Sequence, residues 1–353
     1  PMAAGDSNAK HAPLREGYFE WIADLVYRYD CIEVVEMHNE PNLKFFWQGT
    51  VEDYVRIYRE GARIIRERNP DVTIAVGSVS SLWWGPGVDW FKKMARLGGL
   101  EFADAVAVHP YQKKAPPEQD PHYEGAPIDA ADHFEQAAVA FNDLVQSLAP
   151  EGKQLDLYYT ELGYSSGQEG MAAVGSELLQ ADYLSRSMML YLDLRVKGTP
   201  IKGVFWYDLK NDGTNEHGES NFGLISYDTS RTKPAYDVYR RIAGAFTDPD
   251  RLAVADVTVA SINLPDVVNT RAWRHDDGRV LIPFWRMEQR QARDEDFVTR
   301  LEILGLDADD VERVVLHNLH ETAPRDIGYE VVGDALSIPV SVSRRAGYLE
   351  IRF

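Results

Sequence analysis

The sequence has few of the residues that build disulfide, metal and phosphate sites. Cys31 is the one cysteine in 353 residues, so no disulfide can form within the chain. Because Cys31 opens an apolar strand, we expect a buried thiol. The nine histidines are scattered and lack metal-ligand spacing. Residues 77–81 lack the lysine and the later glycine of a phosphate-binding loop. We therefore expect neither a metal nor a cofactor.

The chain also lacks long apolar runs and an excess of positive charge. No apolar stretch approaches the roughly 20 residues that span a bilayer, and no basic segment followed by an apolar one opens the chain. The net charge of −19 would repel nucleic acids and anionic membrane surfaces. These absences favour a cytoplasmic protein whose partner is a neutral small molecule rather than a nucleic acid or a membrane.

Strand-like and helix-like segments alternate from about residue 15 to residue 246, a pattern typical of βα units around a parallel sheet. Apolar residues at helical spacing predict helices such as Tyr18–Tyr29, and Thr50 with Asp53 predicts a capping box at the start of the next helix. The pattern gives five strands, which begin at residues 32, 72, 103, 155 and 201.

The character of the sequence changes after residue 248. Short alternating runs and turn signals, among them Asp276-Asp277-Gly278, predict an antiparallel β-sandwich. We therefore divide the chain into a catalytic α/β domain, 1–248, and an accessory β-sandwich domain, 249–353.

Two glutamates carry the strongest chemical signal. Glu40 and Glu161 each end a short apolar strand and lie 121 residues apart, so only the fold could bring them together. Paired carboxylates at strand ends are the groups that glycoside hydrolysis requires. Asn39 adds an amide that could bind a sugar hydroxyl, and Pro41 stiffens the turn that follows Glu40.

The segment His38–Trp47 resembles the acid/base signature of the clan A glycoside hydrolases. Its Asn-Leu-Lys and Phe-Trp continuation is most similar to family 39, which includes β-xylosidases. The resemblance spans roughly residues 15–246, and its specificity comes from an ordered set of further segments: His109-Pro110-Tyr111, Tyr159–Gly163, Phe205-Trp206-Tyr207, Asn221–Ile225 and Lys233–Tyr236.

The resemblance implies a (β/α) TIM-barrel fold and a retaining mechanism. Glu40 would be the general acid/base, and Glu161 the nucleophile. Such a mechanism needs carboxyl groups about 5 to 5.5 Å apart. Tyr111 would donate a hydrogen bond to Glu161, and His109 would lie beside the sugar. Trp206 would form an apolar floor for the sugar ring.

The sequence departs from the family pattern in two places. His38 stands where the family usually has tryptophan, which affects the sugar-binding wall. The acid/base normally follows the fourth barrel strand, whereas here one helix precedes the strand that leads to Glu40. The barrel therefore lacks counterparts of its first three βα units. Five parallel strands cannot close an eight-stranded barrel, so we expect a second copy, a separate chain or a preceding segment to cover the open edge.

These observations predict a retaining exo-β-glycosidase that acts on a β-xyloside or, equally, a β-galactoside. Two alternatives stay open. One is an endo-acting clan A glycanase of the cellulase or mannanase kind, which would have a long open cleft. The other is a catalytically inactive barrel that binds carbohydrate, which would show saturable sugar binding without hydrolysis.

Overall fold

The computed structural model describes residues 17–80, 86–119, 133–170, 172–263, 265–287, 296–319, 321 and 323–353. Contacts group the described residues into two compact units. Unit 1 comprises those within Pro1–Tyr111, Ala137–Leu162 and Pro200–Trp206, and unit 2 comprises the remainder. The division at residue 248 rests on sequence character and stays a prediction.

Unit 1 is built on a parallel sheet, as the sequence predicts. Its strands lie in chain order and are β1 (Val34–Glu36), β2 (Thr73–Ser80), β3 (Ala105–His109), β4 (Asp156–Leu162) and β5 (Ile201–Trp206). Ser80 pairs with His109, and Val108 pairs with Tyr159. Because the strands are parallel, their carboxyl ends meet at one edge of the sheet, where ligand sites of such folds form.

Helices separate these strands in the chain. Unit 1 contains α1 (Tyr18–Arg28), α2 (Val51–Arg68), α3 (Pro86–Arg96) and, from Ala137 onward, α4 (His133–Leu148). The predicted capping box is present, since Thr50 and Asp53 exchange side-chain and backbone hydrogen bonds at the start of α2.

The buried face of α2 carries aromatic rings. Tyr54, Tyr58 and Ile65 are almost completely buried, and the indole of Trp47 packs edge-on against Tyr54. The burial of these large side chains fixes α2 in unit 1, because each removes 100 Å² or more of apolar surface from water, on the order of 2 kcal/mol per side chain.

The sheet remains open at both ends. Among the described residues β1 pairs with β2 alone, and β5 pairs with β4 alone. Small side chains line one face of the sheet, where Ala75, Ala105 and Ala107 pack with Val34 and Tyr158. The fold is thus a TIM barrel reduced to about five βα units, as the sequence predicts.

Unit 2 contains two further helices and the predicted β-sandwich. The helices are α5 (Glu177–Val196) and α6 (Pro234–Ala245). The strands follow them in the chain and are β6 (Leu252–Val254), β7 (Thr258–Ser261), β8 (Val268–Thr270), β9 (Trp273–His275), β10 (Val280–Arg286), β11 (Phe297–Leu304), β12 (Arg313–Asn318), β13 (Arg325–Asp326), β14 (Glu330–Val332), β15 (Ala335–Val342) and β16 (Gly347–Arg352).

The strands of unit 2 form two antiparallel sheets. One has the order β13-β12-β16-β10-β9-β6, with β8 also on β10, and the other has the order β14-β15-β11-β7. Alternate residues of both sheets, such as Ile282, Leu301, Ile338 and Ile351, share one apolar core. Gly278, with φ of 96°, occupies the tight turn between β9 and β10.

A buried ion pair ties α5 to the sandwich within unit 2. The guanidinium of Arg186 on α5 donates two hydrogen bonds to the carboxylate of Glu118, a bidentate ion pair. Glu118 also accepts a hydrogen bond of 2.6 Å from the indole N–H of Trp285 on β10. Arg186 and Glu118 are 0% and 3% exposed. Since neither charge reaches water, the pairing offsets part of the desolvation cost of both groups.

One expectation about the core is wrong. Cys31 is exposed, because β1 begins only at Val34 and Cys31 lies in the turn that follows α1. Within the described part of the chain, no helix is both long and apolar enough to cross a membrane.

Candidate active site

The backbone holds Glu40 in an unusual conformation beside the end of β2. Glu40 has φ of 42°, in the left-handed region that a side chain with a Cβ rarely adopts. Its N–H donates to the carbonyl of Ser78 at 2.9 Å, and the Asn42 side chain makes two hydrogen bonds with the backbone of Ser80. Residues held in such a conformation cluster at functional sites, where the surrounding structure compensates for the strain.

His109 ends β3 and lies at the centre of the site. Its side chain is completely buried. The ring Nδ1 lies 3.1 Å from Oε1 of Glu40 and 3.6 Å from Oε2 of Glu161, while Nε2 lies 3.6 Å from Oε1 of Glu36. One imidazole is therefore surrounded by three carboxylates.

Glu161 is the penultimate residue of β4 and receives a second contact. The Tyr111 hydroxyl, two residues beyond the end of β3, donates to Oε2 of Glu161 at 3.0 Å. The side chain of Glu161 keeps 27% of its surface exposed, more than Glu40, which keeps 10%. Glu161 is thus the carboxylate of the pair that is more open to an incoming ligand.

The charges of this cluster shift its pKa values in opposite directions. Burial disfavours a charged His109, but the contacts with Glu36 and Glu40 and the charge of Glu161 raise the pKa of His109 to about 9. Burial raises the pKa of Glu161, although His109 and the hydrogen bond from Tyr111 oppose the rise. At neutral pH His109 is therefore an imidazolium that compensates the neighbouring carboxylates.

His38 is turned toward α2 and uses both ring nitrogens there. Nδ1 lies 2.8 Å from the Tyr58 hydroxyl, and Nε2 lies 3.2 Å from the carbonyl oxygen of Phe46. Burial lowers the pKa of His38, which fits a neutral ring that donates to Phe46 and accepts from Tyr58. A contact of His38 with substrate would therefore involve its ring face.

Two other residues chosen from sequence stand near the cluster. Asn39 is half-buried and directly precedes Glu40. Trp206, the last residue of β5, is in register with Leu162 of β4, the residue after Glu161. The sequence-selected side chains Glu40, His109, Tyr111 and Glu161 make direct contacts with one another, whereas the roles of Asn39 and Trp206 in binding stay predictions.

Sequence reasoning missed Glu36. It is the last residue of β1, after Val34 and Val35, and an acidic residue at the end of a short apolar strand was an available signal. Burial alone would raise the pKa of Glu36, but His109 together with the hydroxyls of Ser78 and Thr160 lowers it. Glu36 is therefore ionised at neutral pH.

The arrangement of ligand atoms also bears on metal binding. One ligand atom from each of Glu40, His109 and Glu161 lies within 4.8 Å of the other two, a spacing at which a metal ion could fit. Chemically, the site offers one half-exposed carboxylate, one buried carboxylate and a fixed positive charge between them.

Comparison with known proteins identifies the fold. No protein-family model matches the sequence, and no curated protein matches it. A family 39 glycoside hydrolase from the gut symbiont Bacteroides cellulosilyticus superposes with a TM-score of 0.68 at 23% identity, over 94% of this chain and 61% of that chain. This chain therefore spans less than two thirds of that relative.

Two further solved structures support the same assignment. A monomeric β-xylosidase from Caulobacter crescentus matches with a TM-score of 0.60 at 15% identity, over 97% of this chain and 76% of that one. A family 51 α-L-arabinofuranosidase from Bifidobacterium longum matches with a TM-score of 0.55 at 11% identity, over 90% and 66%. The fold of this chain is therefore similar to that of these glycoside hydrolases, including a family 39 enzyme.

Proposed function

We propose that this protein is a glycoside hydrolase that works by double displacement, with Glu161 as nucleophile and Glu40 as general acid/base. The observation that carries the proposal is the spacing of their carboxylates, since an oxygen of Glu40 lies within 4.8 Å of an oxygen of Glu161. Retaining enzymes keep the two carboxyl groups about 5 to 5.5 Å apart, whereas inverting enzymes separate them by roughly 6.5 Å or more to admit water.

In the first step Glu161 attacks the anomeric carbon, and Glu40 gives its proton to the departing glycosidic oxygen. The C–O bond to the leaving group breaks as the bond to Glu161 forms. In the second step Glu40 takes a proton from water, and the resulting hydroxide displaces Glu161 with retention of configuration. Tyr111 supports the charge of Glu161 before the attack and releases that support as the ester forms.

The substrate we propose is a neutral β-glycoside, a β-xyloside or a β-galactoside, from which one terminal sugar is removed. One structural neighbour is named a β-xylosidase, and a neutral substrate suits the net charge of −19. Trp206 would form the floor under the sugar ring, Asn39 would bind a sugar hydroxyl, and His38 would form part of the wall.

The test is nitrophenol release from aryl β-xyloside, β-galactoside, β-glucoside and β-fucoside. We expect turnover by wild type, loss of nearly all turnover in Glu161→Ala, and a loss in Glu40→Ala that is greatest for poor leaving groups. Azide should partly restore turnover in these variants, because a small anion can occupy the space of the missing carboxylate. A folded wild type that cleaves polysaccharide alone would indicate the endo-acting alternative. Saturable sugar binding without turnover would indicate an inactive barrel.

We also propose that a partner surface covers the open edge of the sheet. The unpaired backbone groups of β1 and β5 could pair with strands of a second copy or of a separate chain. A monodisperse monomer in light scattering would count against association of two copies. The cytoplasmic location stays a prediction that cell fractionation can test.

A further inference from the structure

The side chain of Glu36 has no role in the double-displacement mechanism, yet it is part of the catalytic cluster. It is the last residue of β1, and its Oε1 lies 3.6 Å from Nε2 of His109, on the side of the ring opposite Glu40 and Glu161. About a quarter of the Glu36 side chain is exposed, whereas His109 is completely buried. The contact of Glu36 with the cluster is therefore made through the imidazole.

The surroundings of the ring favour a positive charge on it. Nδ1 is within hydrogen-bond distance of Oε1 of Glu40, at 3.1 Å. Nε2 lies 3.6 Å from Oε1 of Glu36, which is too long for a hydrogen bond but close enough for a strong charge–charge interaction in a buried site. Because no part of the ring reaches water, these carboxylates are what can compensate a charge on it.

We propose that Glu36 is a positioning residue that keeps His109 doubly protonated and fixed between Glu40 and Glu161. This inference rests on the proposed glycosidase function. Glu36 supplies the third negative charge that stabilises the buried imidazolium of His109. The imidazolium in turn compensates the negative charges of Glu40 and Glu161.

The charged groups around the ring come from two strands and the turn after β1. Glu36 belongs to β1, Glu40 to that turn, and Glu161 to β4, while Tyr111 acts on the ring through Glu161. The pKa of His109, raised to about 9, agrees with this arrangement, and Glu36 is the first of the groups that raise it.

The proposed role links the two half-reactions. When Glu161 becomes an ester it loses its charge, and at the same stage Glu40 becomes a carboxylate. Since Nδ1 of His109 lies near both Glu40 and Glu161, the imidazolium can compensate whichever of them is negative. Removal of the Glu36 charge would let His109 lose its proton. Glu40 and Glu161 would then lose the positive charge that lies between them.

The test is Glu36→Gln, which keeps the shape of the side chain and removes its charge. Glu33→Gln is the matched control, because Glu33 is exposed, three residues earlier, and has the same charge. Titration of His109 followed by ¹⁵N NMR should show a pKa about 1 to 3 units lower in Glu36→Gln than in wild type. The basic limb of the kcat/KM profile should move to lower pH, with a tenfold or greater loss above the lowered pKa, because His109 no longer carries its charge there. Glu33→Gln should change neither.

Two outcomes would overturn the role assigned to Glu36. One is an unchanged His109 titration in folded Glu36→Gln, and the other is a lowered His109 pKa with an unchanged kcat/KM profile. Because the NMR titration needs no turnover, an inactive wild type would refute the glycosidase function while the charge coupling is still measured. If Glu36→Gln does not fold, Glu36→Asp replaces it. That variant keeps the charge one methylene further away and should lower the His109 pKa by a smaller amount; no change would refute the coupling.

Discussion

Replacing Tyr111 by phenylalanine removes one hydroxyl and leaves the ring in place. The lost group is the donor of the 3.0 Å hydrogen bond to Oε2 of Glu161. A hydrogen bond to a charged group contributes about 1.5 to 3 kcal/mol, and one pKa unit corresponds to about 1.4 kcal/mol. Because the phenol contacts the ionised form of Glu161, its removal should raise the pKa of that carboxyl by about 1 to 2 units.

The sign of the effect on activity follows from the role of Glu161. A nucleophile must be ionised, so activity is lost as the pH falls through its pKa. Burial already raises that pKa in wild type, and Tyr111→Phe raises it further. The acidic limb of kcat/KM should therefore move to higher pH by about 1 to 2 units, and activity on that limb should fall about 10- to 100-fold.

The assay is kcat/KM for the best aryl glycoside between pH 4 and pH 9, with wild type and Tyr111→Phe measured side by side. Tyr27→Phe is the control, since Tyr27 is 68% exposed on α1 and loses the same atom. If Tyr111→Phe keeps the acidic limb of wild type and lowers activity equally at every pH, the phenol does not support the charge of Glu161. The reasoning would then be wrong even if the variant is slow.

Three further changes test other parts of the structure. Glu118→Gln removes the carboxylate that pairs with buried Arg186, so the free energy of unfolding, measured in urea, should fall by about 3 to 5 kcal/mol. The control is Glu60→Gln, which removes an exposed carboxylate and should lower the free energy of unfolding by less than about 1 kcal/mol. Thr50→Ala removes the N-terminal cap of α2 and should lower the free energy of unfolding in urea by about 1 kcal/mol. The pKa of His109 rises on folding from 6.5 to about 9. Protonation of His109 therefore adds on the order of 3 kcal/mol to the free energy of unfolding below pH 6.5, and this stabilisation is lost as the pH rises through 9. The stability difference between wild type and His109→Asn should therefore narrow over that range, and a constant difference would contradict the charged ring.

The periodicity of the sequence predicts most of unit 1 because its strands and helices are bounded by local signals. Thr50 and Asp53 mark the start of α2, and the apolar face of that helix repeats at helical spacing. The strand-end positions of Glu40 and Glu161 follow from the same signals, since parallel strands end at one edge of the sheet. The sequence thus predicts that Glu40 and Glu161 meet at this edge without any knowledge of their contacts.

Other features depend on contacts between distant residues. Cys31 follows α1 and precedes apolar residues, but its exposure depends on β1 starting only at Val34. Glu118 and Arg186 lie 68 residues apart and belong to no common sequence motif, so only the fold of unit 2 brings them together. The left-handed conformation of Glu40 likewise depends on the carbonyl of Ser78 that holds its N–H. No local propensity encodes such partners.

Under the proposed function, the contacts of His109 favour a role beside the two carboxylates over direct binding of a sugar hydroxyl. A group that binds a hydroxyl needs a free donor or acceptor directed at the substrate, whereas both nitrogens of His109 face carboxylates and the ring is fully buried. A fixed positive charge between two carboxylates that exchange their ionisation states costs no reorganisation during the reaction. Because β1, β3, β4 and the turn after β1 supply all four charged groups, unit 1 by itself holds the charge cluster on which the proposed chemistry depends.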